Sequence, residues 1–130
     1  MKNILIVVDL QNGFTRYDQT IKLVKNVIHL TNQNYFDYVI ATRFINIEGS
    51  QYTRMLNWHR LIKSPDIDLV EGLNPDKVID KNIYTCVNDK FLLLLKDING
   101  GSLPSHVFIV GVDTDCCVLK IATDLFENNI

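Results

Sequence analysis

Two adjacent cysteines, Cys116 and Cys117, lie in the run Gly111-Val112-Asp113-Thr114-Asp115-Cys116-Cys117-Val118. A cysteine in the first turn of a helix meets the positive end of the helix dipole and several unpaired backbone N–H groups. Both favour the thiolate, the reactive form of the side chain. The same N–H groups can hold the oxyanion of an acyl-transfer intermediate. The alternative is a small, packed, inert residue, which is the commoner fate of a free cysteine. Asp9 closes the apolar N-terminal run MKNILIVVDL. A carboxylate there is either a functional group or a cap. A dehalogenase-type phosphotransferase would want a second acid where Gln11 stands, and a response regulator would want one at Val8 or Leu10. Lys81 follows the short apolar pair Val78-Ile79. A lysine alone reads as surface charge, so its interest comes from its company.

The elements that would carry these residues alternate. Ile4 to Val8 is apolar and rich in β-branched residues, a strand buried on both faces. Helical spacing of Ile21, Val24, Val27 and Ile28 predicts a helix over Thr20 to Leu30, with Asp18 or Thr20 near its cap. Asp37 to Thr42 (DYVIAT) predicts a second buried strand. Arg43 to Pro75 reads as loops with one short helix around Thr53 to Leu61, and long loops often carry function. Val78-Ile79 is a weak strand signal. Asp89 opens an apolar helix over Lys90 to Asp97, ended by Gly100-Gly101. His106 to Val110 is a strand closed by Gly111, and Asp115 to Asn128 has helical spacing. The order β-α-β-loops-β-α-β-α predicts an α/β fold with three αβα layers and a mostly parallel, Rossmann-like sheet. Ligands of such sheets bind beyond the carboxyl ends of the strands. Asp9, Lys81 and the cysteine run all fall at such ends.

Bulk properties narrow the partners. The chain has 130 residues, enough for one domain spanning 1–130. A net charge of −2 gives no basic field for nucleic acid or anionic lipid. No apolar run is long enough to span a bilayer, and the N-terminal run lacks a cleavage site. Three cysteines, two of them adjacent, make a poor disulfide framework and point to free thiols in the reducing cytoplasm. His29, His59 and His106 show no metal-ligand spacing.

Three motifs together resemble the isochorismatase-like cysteine hydrolases, the superfamily that includes nicotinamidases. Asp9-Leu10-Gln11-Asn12-Gly13-Phe14 matches D-x-Q-N-x-F. Lys81-Asn82-Ile83-Tyr84-Thr85-Cys86 keeps the Lys and Tyr of K-x-x-Y-S-A-F and departs at Cys86 and Val87. Gly111 to Val118 matches G-V-x-T-D-x-C-V throughout, and singles out Cys117 over Cys116.

The resemblance implies a cysteine-dependent hydrolase that opens an amide-type C–N bond of a small molecule through a thioester on Cys117. Asp9 would be general base and Lys81 would favour the thiolate. The backbone N–H groups of Asp113 and Cys117 would bind the oxyanion, and the Val112–Asp113 peptide would be cis. Gln11, Phe14, Arg43 and Trp58 are candidate substrate contacts, with Phe44 and Tyr52 as further pocket residues. Arg43 is the candidate for a substrate carboxylate. Asp113 places an acid beside the oxyanion position, so its side chain is expected to point away. Nicotinamidases carry a D-x-H metal motif after the second strand, and Phe44-Ile45-Asn46 stands there instead. The expectation is therefore no cofactor and no metal.

The chain stops just after its last helix, where a strand would normally follow, so it reads as cut short of its C-terminal strands. An uncovered sheet edge would favour a homo-oligomer. The competing functional readings are an impaired or truncated protein of this fold with a binding role, and a thiol sensor using Cys116 and Cys117. Adjacent cysteines form only strained disulfides, which weakens the second.

Overall fold

The computed structural model describes residues 1–130. Strands β1 (Ile4–Val8), β2 (Tyr38–Phe44), β3 (Lys77–Lys81) and β4 (Phe108–Gly111) form one parallel sheet in the order β3-β2-β1-β4. Helix α1 (Asp18–Thr31) links β1 to β2, α2 (Gln51–Leu56) lies between β2 and β3, and α3 (Asp89–Ile98) precedes β4. A π-helical turn over Thr114–Val118 leads from β4 into α4 (Leu119–Glu127).

The period-two alternation of a strand sorts β1 into two cores. Ile4, Ile6 and Val8 pack with Ile40, Phe91 and Leu95 of α3, and Ile121 and Leu125 of α4. Leu5 and Val7 pack with Val27 of α1, Val39, Ala41, Val70 and Leu73. Every residue of β1 is fully buried, which is why the strand reads as a continuous apolar run. A third, smaller cluster of Phe44, Tyr52 and Leu61, with Phe14, Trp58 and Ile67 against it, closes the carboxyl end of the sheet.

The chain runs outward from β1 through β2 to β3, then returns to place β4 on the other side of β1. The loops after β1 and β4 therefore leave in opposite directions and open a crevice between them. Asp9 follows β1, and the cysteine run follows β4.

Three local differences from the sequence reading have physical causes. The short middle helix is Gln51–Leu56, not Thr53 to Leu61: Ser50 caps it by accepting the Thr53 N–H, and Asn57 ends it in the left-handed region at φ +50°. β3 extends over Lys77–Lys81, so Lys81 is its last residue and does not follow it. The signal is weak because β3 is an edge strand, paired only with β2 and mostly exposed. The cysteines enter a π turn ahead of α4 and not the first turn of a regular α-helix.

Candidate active site

Backbone geometry sets the site before any side chain does. Asp9 leaves β1 at φ +52°, a left-handed conformation uncommon for a residue with a side chain. Two contacts hold it there: the Gln11 N–H donates to Asp9 O at 2.7 Å, and the Asp9 N–H donates to Thr42 Oγ1 at 3.1 Å. Across the crevice Gly111 sits at φ +132°, and a Cβ there would meet the Val8 carbonyl oxygen at 2.1 Å. Only glycine lets the β4 turn approach β1 so closely. The Val112 N–H then donates to Val8 O at 3.0 Å, and the Val112–Asp113 peptide is cis.

This frame brings Asp9, Lys81 and Cys117 into one contact. Lys81 reaches back from the end of β3, with its Nζ 5.0 Å from the centre of the Phe44 ring. Nζ donates to Asp9 Oδ2 at 2.8 Å, to Ile83 O at 3.1 Å and to Cys117 Sγ at 3.3 Å. All three ammonium protons are thereby used. The Asp9 side chain is fully buried and that of Lys81 is 4% exposed. The second Asp9 oxygen, Oδ1, accepts from Thr42 Oγ1 at 2.7 Å. Of the two adjacent thiols, Cys117 contacts Lys81 and Asp9, while Cys116 faces Tyr84 and Asp115.

The Cys117 thiol is pushed up to about 12, first by burial and then by the Asp9 charge, with Lys81 pulling the other way. Burial and the neighbouring carboxylate thus oppose the thiolate that Lys81 favours. Asp113 O accepts the N–H groups of Cys116 and Val118, both at 3.2 Å, and so passes over that of Cys117. Asp113 itself is exposed. Its carboxyl is raised by partial burial and then by Asp115 and Asp9, so its charge still reaches the site.

The expected substrate contacts divide. Gln11 is fully buried, and its amide is spent: Nε2 donates to the carbonyls of Phe44 and Ile67, and Oε1 accepts the Phe44 N–H. It ties the β1 loop to β2 and has no group left for a substrate. Arg43 is likewise committed. Its guanidinium donates through Nε and a terminal nitrogen to both oxygens of Asp80 at 2.7 and 2.8 Å, its register partner on β3. Both pairings have one cause, since a polar side chain is claimed by the nearest unpaired backbone or charge. Phe14 and Trp58 are half-buried and stacked at 6.1 Å, and Trp58 lies 5.9 Å from the Phe44 ring and 6.3 Å from that of Tyr52. Tyr84 extends this aromatic wall, 5.6 Å from Tyr52.

Thr42 and Tyr84 take part in this arrangement and were given no role from the sequence. Thr42 had a signal, as the polar residue after Val39-Ile40-Ala41, and Tyr84 had one as the tyrosine of the K-x-x-Y motif.

The isochorismatase domain model matches residues 3–130. The chain belongs to the isochorismatase family. As a member it is an isochorismatase-like hydrolase. No curated protein sequence matches it. Three solved structures share the fold of this family member. PnC1 from L. infantum, in complex with nicotinate, aligns with TM-score 0.82 at 24% identity, over 99% of this chain and 76% of that one. N-carbamoylsarcosine amidase from Thermoplasma acidophilum aligns with TM-score 0.76 at 22% identity, over 99% and 78%. Pyrazinamidase of Pyrococcus horikoshii, in complex with zinc, aligns with TM-score 0.77 at 24% identity, over 100% and 81%.

The residues after β2 are committed elsewhere and do not fit a metal. After β2 the polar side chain is Asn46, whose Nδ2 donates to the carbonyls of Trp58 and Arg60 and whose Oδ1 accepts from Ile47 N–H and Ser50 Oγ. His59 pairs with Glu48, and no group of three or more His, Cys, Asp or Glu side chains is gathered for a metal. No helix is long and apolar enough to cross a membrane.

Proposed function

We propose that this isochorismatase-family protein hydrolyses the amide-type C–N bond of a small molecule through a thioester on Cys117, without a metal. The observation that carries this reading is the single ammonium of Lys81 bridging Asp9 Oδ2 at 2.8 Å and Cys117 Sγ at 3.3 Å. The amidase character of the N-carbamoylsarcosine amidase and pyrazinamidase neighbours supports it by analogy of fold.

The thiol rests protonated, and Asp9 is the acceptor in contact with it. The proton passes to Asp9 as sulfur attacks the carbonyl carbon, with the Lys81 charge lowering the cost of the forming thiolate. The S–C bond forms, and the carbonyl electron pair moves to oxygen, where the N–H groups of Asp113 and Cys117 receive it. Asp9 then protonates the leaving nitrogen as the C–N bond breaks. Water enters, gives its proton to Asp9 and attacks the thioester; the proton returns to sulfur as the acid leaves. Phe14, Trp58, Tyr52 and Tyr84 form an aromatic wall suited to a planar substrate. Phe108 on β4, and Leu119 and Phe126 on α4, are exposed apolar residues that self-association would cover.

A second reading is a binding protein of this fold with no turnover, in which the buried Cys117 thiol keeps its proton. Ammonia release from a panel of small carboxamides and N-carbamoyl amino acids separates the two. Turnover with wild type, lost in Cys117→Ala, with an acyl adduct on the Cys117 peptide after rapid acid quench, is the expected result. Turnover that survives Cys117→Ala would overturn the mechanism, and ligand binding without turnover would support the second reading.

A further inference from the structure

The geometry points to Thr42 as a positioning residue that holds the Asp9 carboxylate in its working orientation from the second strand. The inference rests on the proposed cysteine-hydrolase reading. Thr42 is fully buried at the carboxyl end of β2. Its oxygen accepts the Asp9 N–H at 3.1 Å, so its one proton is directed to Asp9 Oδ1, where it lies at 2.7 Å. One hydroxyl therefore grips both ends of the same residue. Through the N–H it anchors the left-handed turn at φ +52°; through Oδ1 it fixes the rotation of the carboxylate. Lys81 holds the other oxygen. Two donors from two strands, one on each oxygen, leave the carboxylate no freedom to turn away from Cys117.

The hydroxyl also acts on charge. A hydrogen bond donated to a carboxylate favours its charged form. The groups that face Asp9 are Lys81 from β3, Cys117 from the π turn, Asp113 from the loop after β4, and Cys86 from the segment before α3. Lys81 is the one cation among them. Thr42 is the neutral donor that assists it, and its contribution survives where the thiols and Asp113 change protonation.

The test is turnover of the carboxamide and N-carbamoyl panel, read as kcat and KM separately. The proteins are wild type, Thr42→Ser, Thr42→Val and Thr42→Ala, with circular dichroism as the control for folding. Thr42→Val lowers kcat about tenfold with KM unchanged, and Thr42→Ser returns kcat to the wild-type value. Thr42→Ala serves in place of Thr42→Val if the valine variant does not fold. A folded Val or Ala variant with wild-type kcat overturns the positioning role. So does a Ser variant that loses as much kcat as Val, because the effect would then be packing. A wild type that gives neither turnover nor an acyl adduct on Cys117 overturns the hydrolase reading itself.

Discussion

The Lys81 ammonium and the Asp9 carboxylate meet at 2.8 Å with 4% and 0% of their side chains exposed. A buried pair of this kind contributes little net stability, because desolvation offsets the attraction, yet removing one partner strands the other charge. Lys81→Met should therefore destabilise the protein by about 3–5 kcal/mol. Adding Asp9→Asn to it should recover a large part of that loss, since no charge is then left unpaired. Urea unfolding of the two single variants and the double variant measures the coupling. Additive losses would mean the pair does not act as a unit.

Asp9 also governs the thiol beside it. Its charge is the second cause, after burial, of the elevation of Cys117 to about 12. Asp9→Asn removes that charge and leaves Lys81, so the thiol should ionise at a lower pH. Stoichiometric alkylation of Cys117 by iodoacetamide at pH 8.5 should become faster in Asp9→Asn, while amide turnover disappears for lack of a proton acceptor and donor. Lys81→Met should do the opposite to alkylation, slowing it. The two variants thus separate a reactive thiol from a working site.

Arg43 and Asp80 offer a test of the expected substrate contacts. The Arg43 hydrogen bonds hold the Asp80 carboxyl below its ordinary value, against the opposing effect of burial. A carboxylate depressed in the fold contributes stability above its unfolded value, about 3.9, and that contribution fades as pH falls through the lower folded value. Asp80→Asn should flatten the acid side of the stability curve. The effect should be small, because half of the Asp80 side chain faces solvent. Arg43→Ala should leave discrimination between acidic and neutral amides unchanged. A selective loss of acidic substrates would restore Arg43 as their anchor.

Much of the fold was legible because burial on two faces leaves a plain mark. Ile4–Val8 is buried throughout and apolar throughout. β3 was nearly illegible for the opposite reason: an exposed edge strand is free to be Lys-Val-Ile-Asp-Lys. At the site, Asp9, Lys81 and Cys117 stand at the ends of three strands, and order along the chain suffices to place such ends on one rim of a parallel sheet. Pairings within that rim were not legible. Gln11 and Arg43 carry the right chemistry for a ligand, but Phe44 backbone and Asp80 claim them, and register between strands decides that. The burial that pushes the Cys117 thiol up was not legible either, because a helix terminus is visible in sequence while the depth of burial around a thiol is not.

Cys86 offers a last test, at alkaline pH. It replaces the alanine of the family motif, lies 4% exposed in the core beside Phe91 and Leu95, and its thiol is pushed up to about 12, chiefly by burial. Cys117 is pushed up to about the same value. In the unfolded chain both thiols ionise near 8.5. Between about 8.5 and 12 the folded state holds more protons than the unfolded state, so stability falls as pH rises through this window. Below it the two states hold the same thiol protons and the contribution is constant. Urea unfolding at pH 7.5, 9 and 10.5 should show the decline in wild type. Cys86→Ala should lessen its slope, even though the smaller side chain lowers stability at every pH. An unchanged slope would mean that the Cys86 thiol ionises in the native protein as it does in the unfolded chain, and that this part of the core admits water.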